Sequence, residues 1–316
     1  MSDKAFFVLL TNQCNLSCKH CYNELDPIKA KGRIQGKDIL TVDRLSYVFS
    51  KFSEQGYTKV LFSGGEALLR PDLSEIISKA KNHGLKTALF TNGHLLSKNT
   101  VKQLGNAKLD EIRISFNEMV WCKTRENYER IFANQTQWVS LLKQNGISVG
   151  FVFIVSGYNI DYVIEIYDRL QSLGASMKIQ PLYVPDTFKD FSKVSASCIS
   201  QSKWENLFHS FGNRIQQQDA SKSNAAVYGL SDEITNYIKF LSYTYTSGKR
   251  PGFCPTGPLL VIDAEGYFHP CLFRHDIVCG HISKDEDIKL ASAELDKYKY
   301  FSRAKCYKEE CLSAFR

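Results

Sequence analysis

Lys59-Val-Leu-Phe62 runs directly into Ser63-Gly64-Gly65-Glu66 and then into an amphipathic stretch from Asp72 to Gly84. Those residues read as one strand, one loop and one helix. The strand is short and rich in Val, Leu and Phe. In the helix, Leu73, Ile76, Ile77 and Ala80 recur at the spacing of a single face. Asp72 with Glu75 forms the expected capping pair, and Gly84 ends the run. The same alternation continues in both directions. Strands are predicted at Ala5–Leu10, Lys86–Phe90, Glu111–Ser115, Ser148–Val155 and Met177–Leu182. Helices are predicted around Leu45, Val48, Phe49 and Phe52, from about Arg125 to Asn145 before Gly146, and from Tyr162 to Leu173 before Gly174. Six strand-then-helix units with short connections predict an α/β fold, a parallel sheet curled as a partial (β/α)6 barrel of the TIM type. In such barrels chemistry sits at the C-terminal ends of the strands, and every candidate motif here falls just after a predicted strand.

The chain has 316 residues, more than one hydrophobic core usually needs, so a large domain with a smaller one is expected. Its 43% hydrophobic and 23% charged residues are ordinary for a globular protein and argue against a fibrous or disordered chain. The net charge of +7 is mild and dispersed, so neither nucleic acid nor a membrane surface is an expected partner. No apolar run approaches bilayer length, and the start has too short an apolar stretch for a signal peptide. A cytoplasmic location is expected. In a reducing compartment clustered cysteines point to metal or redox chemistry rather than disulfides. Of the ten cysteines, Cys14, Cys18 and Cys21 crowd one end, and Cys254, Cys271, Cys279, Cys306 and Cys311 the other.

Cys14-Asn-Leu-Ser-Cys18-Lys-His-Cys21-Tyr22 follows the first predicted strand. A [4Fe–4S] cube takes four thiolates, so a loop supplying three leaves one iron open to another ligand, by the logic of a catalytic zinc. A structural zinc site with a distant fourth ligand is the competing reading. This spacing, with aromatic Tyr22 after it, resembles the signature of the radical S-adenosylmethionine (radical SAM) enzymes. The resemblance implies that SAM chelates the open iron and that reduction of the cluster cleaves its sulfonium to a 5′-deoxyadenosyl radical. Ser63-Gly64-Gly65-Glu66 resembles the family's SAM-amino-group motif, with Ala67 in place of proline. The two glycines allow a turn of close backbone approach, and Glu66 can accept from an ammonium. Thr91-Asn92-Gly93 matches a motif of the branch with extra clusters. Ser115-Phe-Asn117 resembles the ribose-contacting stretch, with Asn117 in place of aspartate. Ile154 and Leu182 take adenine-side positions by order alone.

Beyond about residue 185 the pattern changes. Residues 186–250 read as a linker with helical stretches near Trp204–Gln217 and Asp232–Tyr243. Residues 251–316 hold a predicted hairpin, Leu259–Ile262 turning through Asp263-Ala-Glu-Gly266 to Tyr267-Phe268. Cys254-x11-Gly266-x4-Cys271 resembles the twitch and SPASM extensions of the same family. Five cysteines are too few for the two clusters of the fuller SPASM form, so a twitch-type single auxiliary [4Fe–4S] cluster on Cys254, Cys271, Cys306 and Cys311 is expected. A zinc site is again the alternative. Residues 1–185 would then be the radical SAM core.

The resemblance implies hydrogen abstraction from a peptide or a small natural-product precursor, with net oxidation or crosslinking as the leading outcome. A sugar or aminocyclitol dehydrogenase or epimerase is the alternative, and a non-catalytic iron–sulfur or zinc protein is the alternative of another class. Cys279 and Cys122 are candidate hydrogen donors for epimerisation, and His269, Arg274 and His275 candidate bases for oxidation. A flavodoxin- or ferredoxin-type donor is the expected electron source. With thirteen residues ahead of Cys14, no N-terminal peptide-recognition domain is expected, and a separate peptide-recognition protein is a candidate partner.

Overall fold

The computed structural model describes residues 4–18, 20–21, 39–182, 199–220, 259–272, 275 and 277–296. They fall into two compact units. Unit 1 draws on residues 1–115, 135–150 and 258–300, and unit 2 on 116–134, 151–257 and 301–316.

Unit 1 is built on β1 (Ala5–Leu9), β2 (Lys59–Ser63), β3 (Lys86–Thr91) and β4 (Glu111–Ser115), parallel neighbours in that order. The register pairs Ala5 with Lys59 and Lys59 with Lys86 at the strand starts, and Leu9 with Ser63 where β1 and β2 lead into their loops. Helix α1 (Val42–Glu54) starts at Thr41, whose side chain accepts from the Arg44 N–H, and it buries Leu45, Val48, Phe49 and Phe52 as the periodicity requires. These rings meet those of the sheet. Phe6 packs edge-on to Phe52 at 4.9 Å and to Tyr57 at 5.3 Å, and Phe49 meets Phe62 at 6.0 Å. Truncating a fully buried ring such as Phe6 costs about 3–5 kcal/mol in cores of this kind.

Helix α2 (Leu73–Asn82) buries the predicted Leu73, Ile76, Ile77 and Ala80. Its start differs from the expected capping pair. Asp72 is the cap residue but makes no side-chain capping bond. Its carboxylate is held instead by Arg70, at 2.8 and 2.7 Å, because a bidentate guanidinium outcompetes a neutral backbone N–H. Helix α3 (Lys98–Asn106) connects β3 to β4. The single helix expected from Arg125 to Asn145 is two, α4 (Arg125–Thr136) and α5 (Val139–Gln144), interrupted at Gln137 and Trp138.

The C-terminal segment extends unit 1. After β5 (Ser148–Val155) and β6 (Ser176–Pro181), with α6 (Val163–Ser172) between them and α7 (Gln201–Ala220) following, come β7 (Leu260–Ile262), β8 (Tyr267–His269) and β9 (Gly280–His281). The hairpin is as expected, antiparallel with Val261 opposite His269. Its second pairing is non-local: β7 lies parallel to β1, with Phe6 opposite Leu260. Helix α8 (Asp285–Asp296) closes the segment. It is tied back by Arg44, which pairs with Asp285 at 2.7 Å, and by Gln55, which donates to the Ile288 carbonyl at 2.8 Å.

Unit 2 has its own aromatic core. Phe116 stacks on Phe151 at 4.8 Å, and Tyr167 of α6 meets Phe211 of α7 edge-on at 5.2 Å. Arg125 and Arg169 bridge Glu165 and Glu129 on its surface. The helical stretch expected at Asp232–Tyr243 lies outside the described residues. Among the described residues no helix is long and apolar enough to cross a membrane.

Candidate active site at the ends of β1, β2 and β3

The chain after β1 and the loop after β2 are joined by backbone hydrogen bonds. Leu10 N–H donates to the Ser63 carbonyl at 2.8 Å, Gly65 N–H to Thr11 at 2.7 Å, and Glu66 N–H to Gln13 at 2.8 Å. The two glycines make this possible. Gly64 has φ +135°, and a Cβ on it would stand 2.5 Å from the Thr11 carbonyl oxygen; one on Gly65 would stand 2.1 Å from that of Gln13. The close approach that the sequence predicts for a ligand is therefore used first by the chain itself, to seat the residues leading into Cys14.

The cysteine loop follows. Cys14 is exposed, and Cys18 and Cys21 are half-buried. Cys21 N–H donates to the Cys18 carbonyl at 2.9 Å, so those two thiols share one tight turn. Leu16 N–H points at Cys14 Sγ at 3.4 Å, the kind of bond that stabilises a thiolate bound to iron. The next cysteine in sequence is Cys122. Three soft sulfurs on one loop, with a backbone donor already aimed at one of them, fit a three-thiolate cluster with an open iron.

Glu66 is 1% exposed and stands between the two loops. Its Oε1 accepts from Leu68 N–H at 3.0 Å and from the Thr91 hydroxyl at 2.8 Å, and its Oε2 from Asn92 N–H at 2.8 Å. Burial pushes its carboxyl above the usual range and outweighs these three bonds. Asn92 carries the constellation on towards the cysteines. Its Nδ2 donates to Asn15 Oδ1 at 2.8 Å, 4.0 Å from Cys14 Sγ, while its Oδ1 accepts from His94 N–H at 2.9 Å. Gln135 fixes the Asn92 carbonyl at 3.1 Å. Asn12 donates to Glu265 in the β7–β8 turn at 2.6 Å. Asn15, Gln135 and the Asn12–Glu265 bond are absent from the sequence reading. Asn15 could have been suspected from its place inside the cysteine motif; the other two join distant segments and leave no local signal.

The family model of the radical SAM superfamily matches residues 8–170, the span that carries all of these groups except Glu265. The chain belongs to the radical SAM superfamily. It is 27% identical over 295 residues to a protein of Methanococcus maripaludis named probable GTP 3′,8-cyclase, covering 90% of this chain and 92% of that one. It is 32% identical over 172 residues to the PqqA peptide cyclase of Gluconobacter oxydans, covering 52% of this chain and 45% of the relative. Among solved structures, Streptococcus suis SuiB bound to S-adenosylmethionine superposes with a TM-score of 0.64 over 95% of this chain and 68% of SuiB, at 14% identity, a likeness of fold.

A radical SAM enzyme carries a [4Fe–4S] cluster and SAM, and the residues that would hold the cluster are Cys14, Cys18 and Cys21. The remaining sequence-predicted positions are distributed between the units. Ser63 closes β2 and Ser115 closes β4 in unit 1. In unit 2, half-buried Asn117 opens a 3-10 helix of residues 117–121. Ile154 and Leu182 also lie in unit 2, where they pack with Val120 and Trp121. Cys122 is buried, its thiol faces the Thr124 carbonyl at 3.3 Å, and burial raises its pKa, the reverse of an activated thiol. Cys271 and Cys279 are half-buried in the C-terminal segment. His269 and His275 are buried beside each other with ring centroids 4.3 Å apart, and both ring nitrogens of His269 face protein acceptors. Tyr22, Cys254, Arg274, Cys306 and Cys311 lie outside the described residues.

Proposed function

We propose that this radical SAM enzyme abstracts hydrogen from a peptide or small natural-product precursor and completes a net two-electron oxidation that closes a ring or crosslink. The observation that carries the reading is the seat of the cysteine loop: Gly64, Gly65, Glu66 and Asn92 hold it at the C-terminal ends of three parallel strands, where barrel enzymes do their chemistry. When bound, the cluster and SAM supply a 5′-deoxyadenosyl radical. The chain's own part is to hold SAM and exclude water. Glu66 offers a buried carboxyl for the amino group, and three neutral donors fix its orientation.

An oxidative outcome needs a sink for the second electron. We assign it to a twitch-type auxiliary [4Fe–4S] cluster on Cys254, Cys271, Cys306 and Cys311. Supporting this, Cys271 follows β8, and the β7–β8 turn is bonded through Glu265 to Asn12 beside the first cysteine loop. Both relatives named above are cyclases by name, which favours ring closure over epimerisation by a thiol. The nearly full-length likeness to a GTP 3′,8-cyclase makes a nucleotide the substrate to test against a peptide. A flavodoxin- or ferredoxin-type protein would deliver the reducing electron, and a separate protein would present a peptide substrate.

Anaerobic reconstitution followed by iron and sulfide counting tests the two-cluster reading, with about eight irons per chain expected. Cys271→Ala should keep SAM cleavage and stop product formation. About four irons, or full product from Cys271→Ala, would remove the auxiliary cluster from the account.

A further inference from the structure

We infer that Asp263, His269 and His275 form a binding site for a divalent metal of the zinc type. The three side chains are 8%, 2% and 7% exposed, and their ligand atoms all lie within 4.8 Å of one another. Each is fixed by the backbone. Asp263 begins the β7–β8 turn, where its Oδ1 accepts from Tyr267 N–H at 2.8 Å and leaves Oδ2 turned inward. His269 ends β8, with Nδ1 2.8 Å from the Ile277 carbonyl oxygen. His275 places Nε2 2.9 Å from the Leu272 carbonyl oxygen.

His269 faces an oxygen acceptor on each side of its ring. A carbonyl oxygen only accepts, so Nδ1 carries the proton that it bonds. Nε2 then faces Asp263 Oδ2 at 2.9 Å. A neutral imidazole has one N–H, and its second nitrogen presents a lone pair, here to the lone pairs of a carboxylate. That contact is repulsive unless a proton or a metal ion stands between the two atoms. A metal uses all three groups at once. Both histidines also show the habit of metal-ligating imidazoles, which commonly donate the other ring N–H to a backbone carbonyl and so fix the tautomer. Ligands 2.0–2.1 Å from a tetrahedral ion lie about 3.3 Å apart, so the Asp263–His269 contact need open by only a few tenths of an ångström. Two imidazoles and a carboxylate suit zinc, and filling the thiolates with iron and sulfide first keeps zinc from them.

The test uses the full chain with its iron and sulfide reconstituted, incubated with zinc ion and desalted. About one zinc per chain should remain. Zinc-edge X-ray absorption should show only nitrogen and oxygen neighbours, at about 2.0–2.1 Å, with no sulfur shell near about 2.3 Å. His269→Gln should lower retained zinc at least tenfold at unchanged iron content. No retained zinc, a sulfur shell around it, or full zinc retention by His269→Gln would overturn the site. If that variant fails to fold, the absorption spectrum of the unmodified protein decides alone. Iron content reports separately on the cysteine clusters, so failure of one site is not mistaken for failure of the other.

Discussion

The two ends of the parallel strands in unit 1 handle buried charge in opposite ways. At the N-terminal ends Glu111 and Asp110 each have a cation. Glu111 lies between Lys59 at 2.8 Å and Arg113 at 2.5 Å, and Asp110 takes Lys81 at 2.7 Å together with the Thr87 N–H and hydroxyl. Burial pushes both carboxyls up, but Arg113 and Lys59 in one case, and Lys81 and Thr87 in the other, outweigh it and hold them below their usual range. At the C-terminal ends Glu66 is deeper, bonds only to neutral donors and is shifted upward by burial. One end is neutralised for stability. The other keeps an acid whose charge a cationic ligand would relieve, which is how a binding end differs from a structural one.

The largest break in that comparison is Cys18→Ala, which should reduce 5′-deoxyadenosine formation to background. Its thermal midpoint without cluster should stay near that of the parent, since the residue is half-buried in a loop. Gly65→Ala comes next. A Cβ 2.1 Å from the Gln13 carbonyl oxygen must displace backbone, so bound iron should fall several-fold; a variant with full iron would show that the glycine seat is dispensable. The two acids should then separate by readout. Glu66→Gln should weaken SAM binding about ten- to a hundredfold by calorimetry, the worth of one charge-assisted bond. Glu111→Gln should cost about 1–3 kcal/mol in denaturant unfolding and leave SAM affinity alone. Equal effects of both variants on affinity would erase the distinction between the ends.

The smallest effect is in pH. Asp110 and Glu111 have carboxyls held below their ordinary 3.8 and 4.5, so their stabilisation is present above those values and is lost as pH falls through the lowered ones. Glu66 is raised above 4.5, so its contribution is full below that value and declines as pH rises through the raised one. A thermal-midpoint profile should therefore lose part of its acid limb in Glu111→Gln and part of its decline above pH 4.5 in Glu66→Gln. The opposite assignment of the two limbs would contradict the charge reading.

Much of this was legible in the residues. The strand limits lie within one or two positions of those read from Val, Ile, Leu and Phe, because these residues mark the strands' buried positions. The helix faces at Leu45–Phe52 and Leu73–Ala80 were legible for the same reason. Each motif of the site falls at the end of its strand. What escaped was non-local or competitive. The parallel pairing of β7 with β1 joins Phe6 to Leu260 across the length of the chain, and no turn residue announces it. Asp72 looked like a capping residue until Arg70 was seen to claim its carboxylate. Asp263 read as a turn residue, and only the folded hairpin sets it against His269.

The most direct trial of the central claim is to reduce the anaerobically reconstituted protein with dithionite in the presence of SAM and quantify 5′-deoxyadenosine. The account predicts at least one equivalent per loaded chain. A protein carrying its full complement of iron and sulfide that forms none would contradict it.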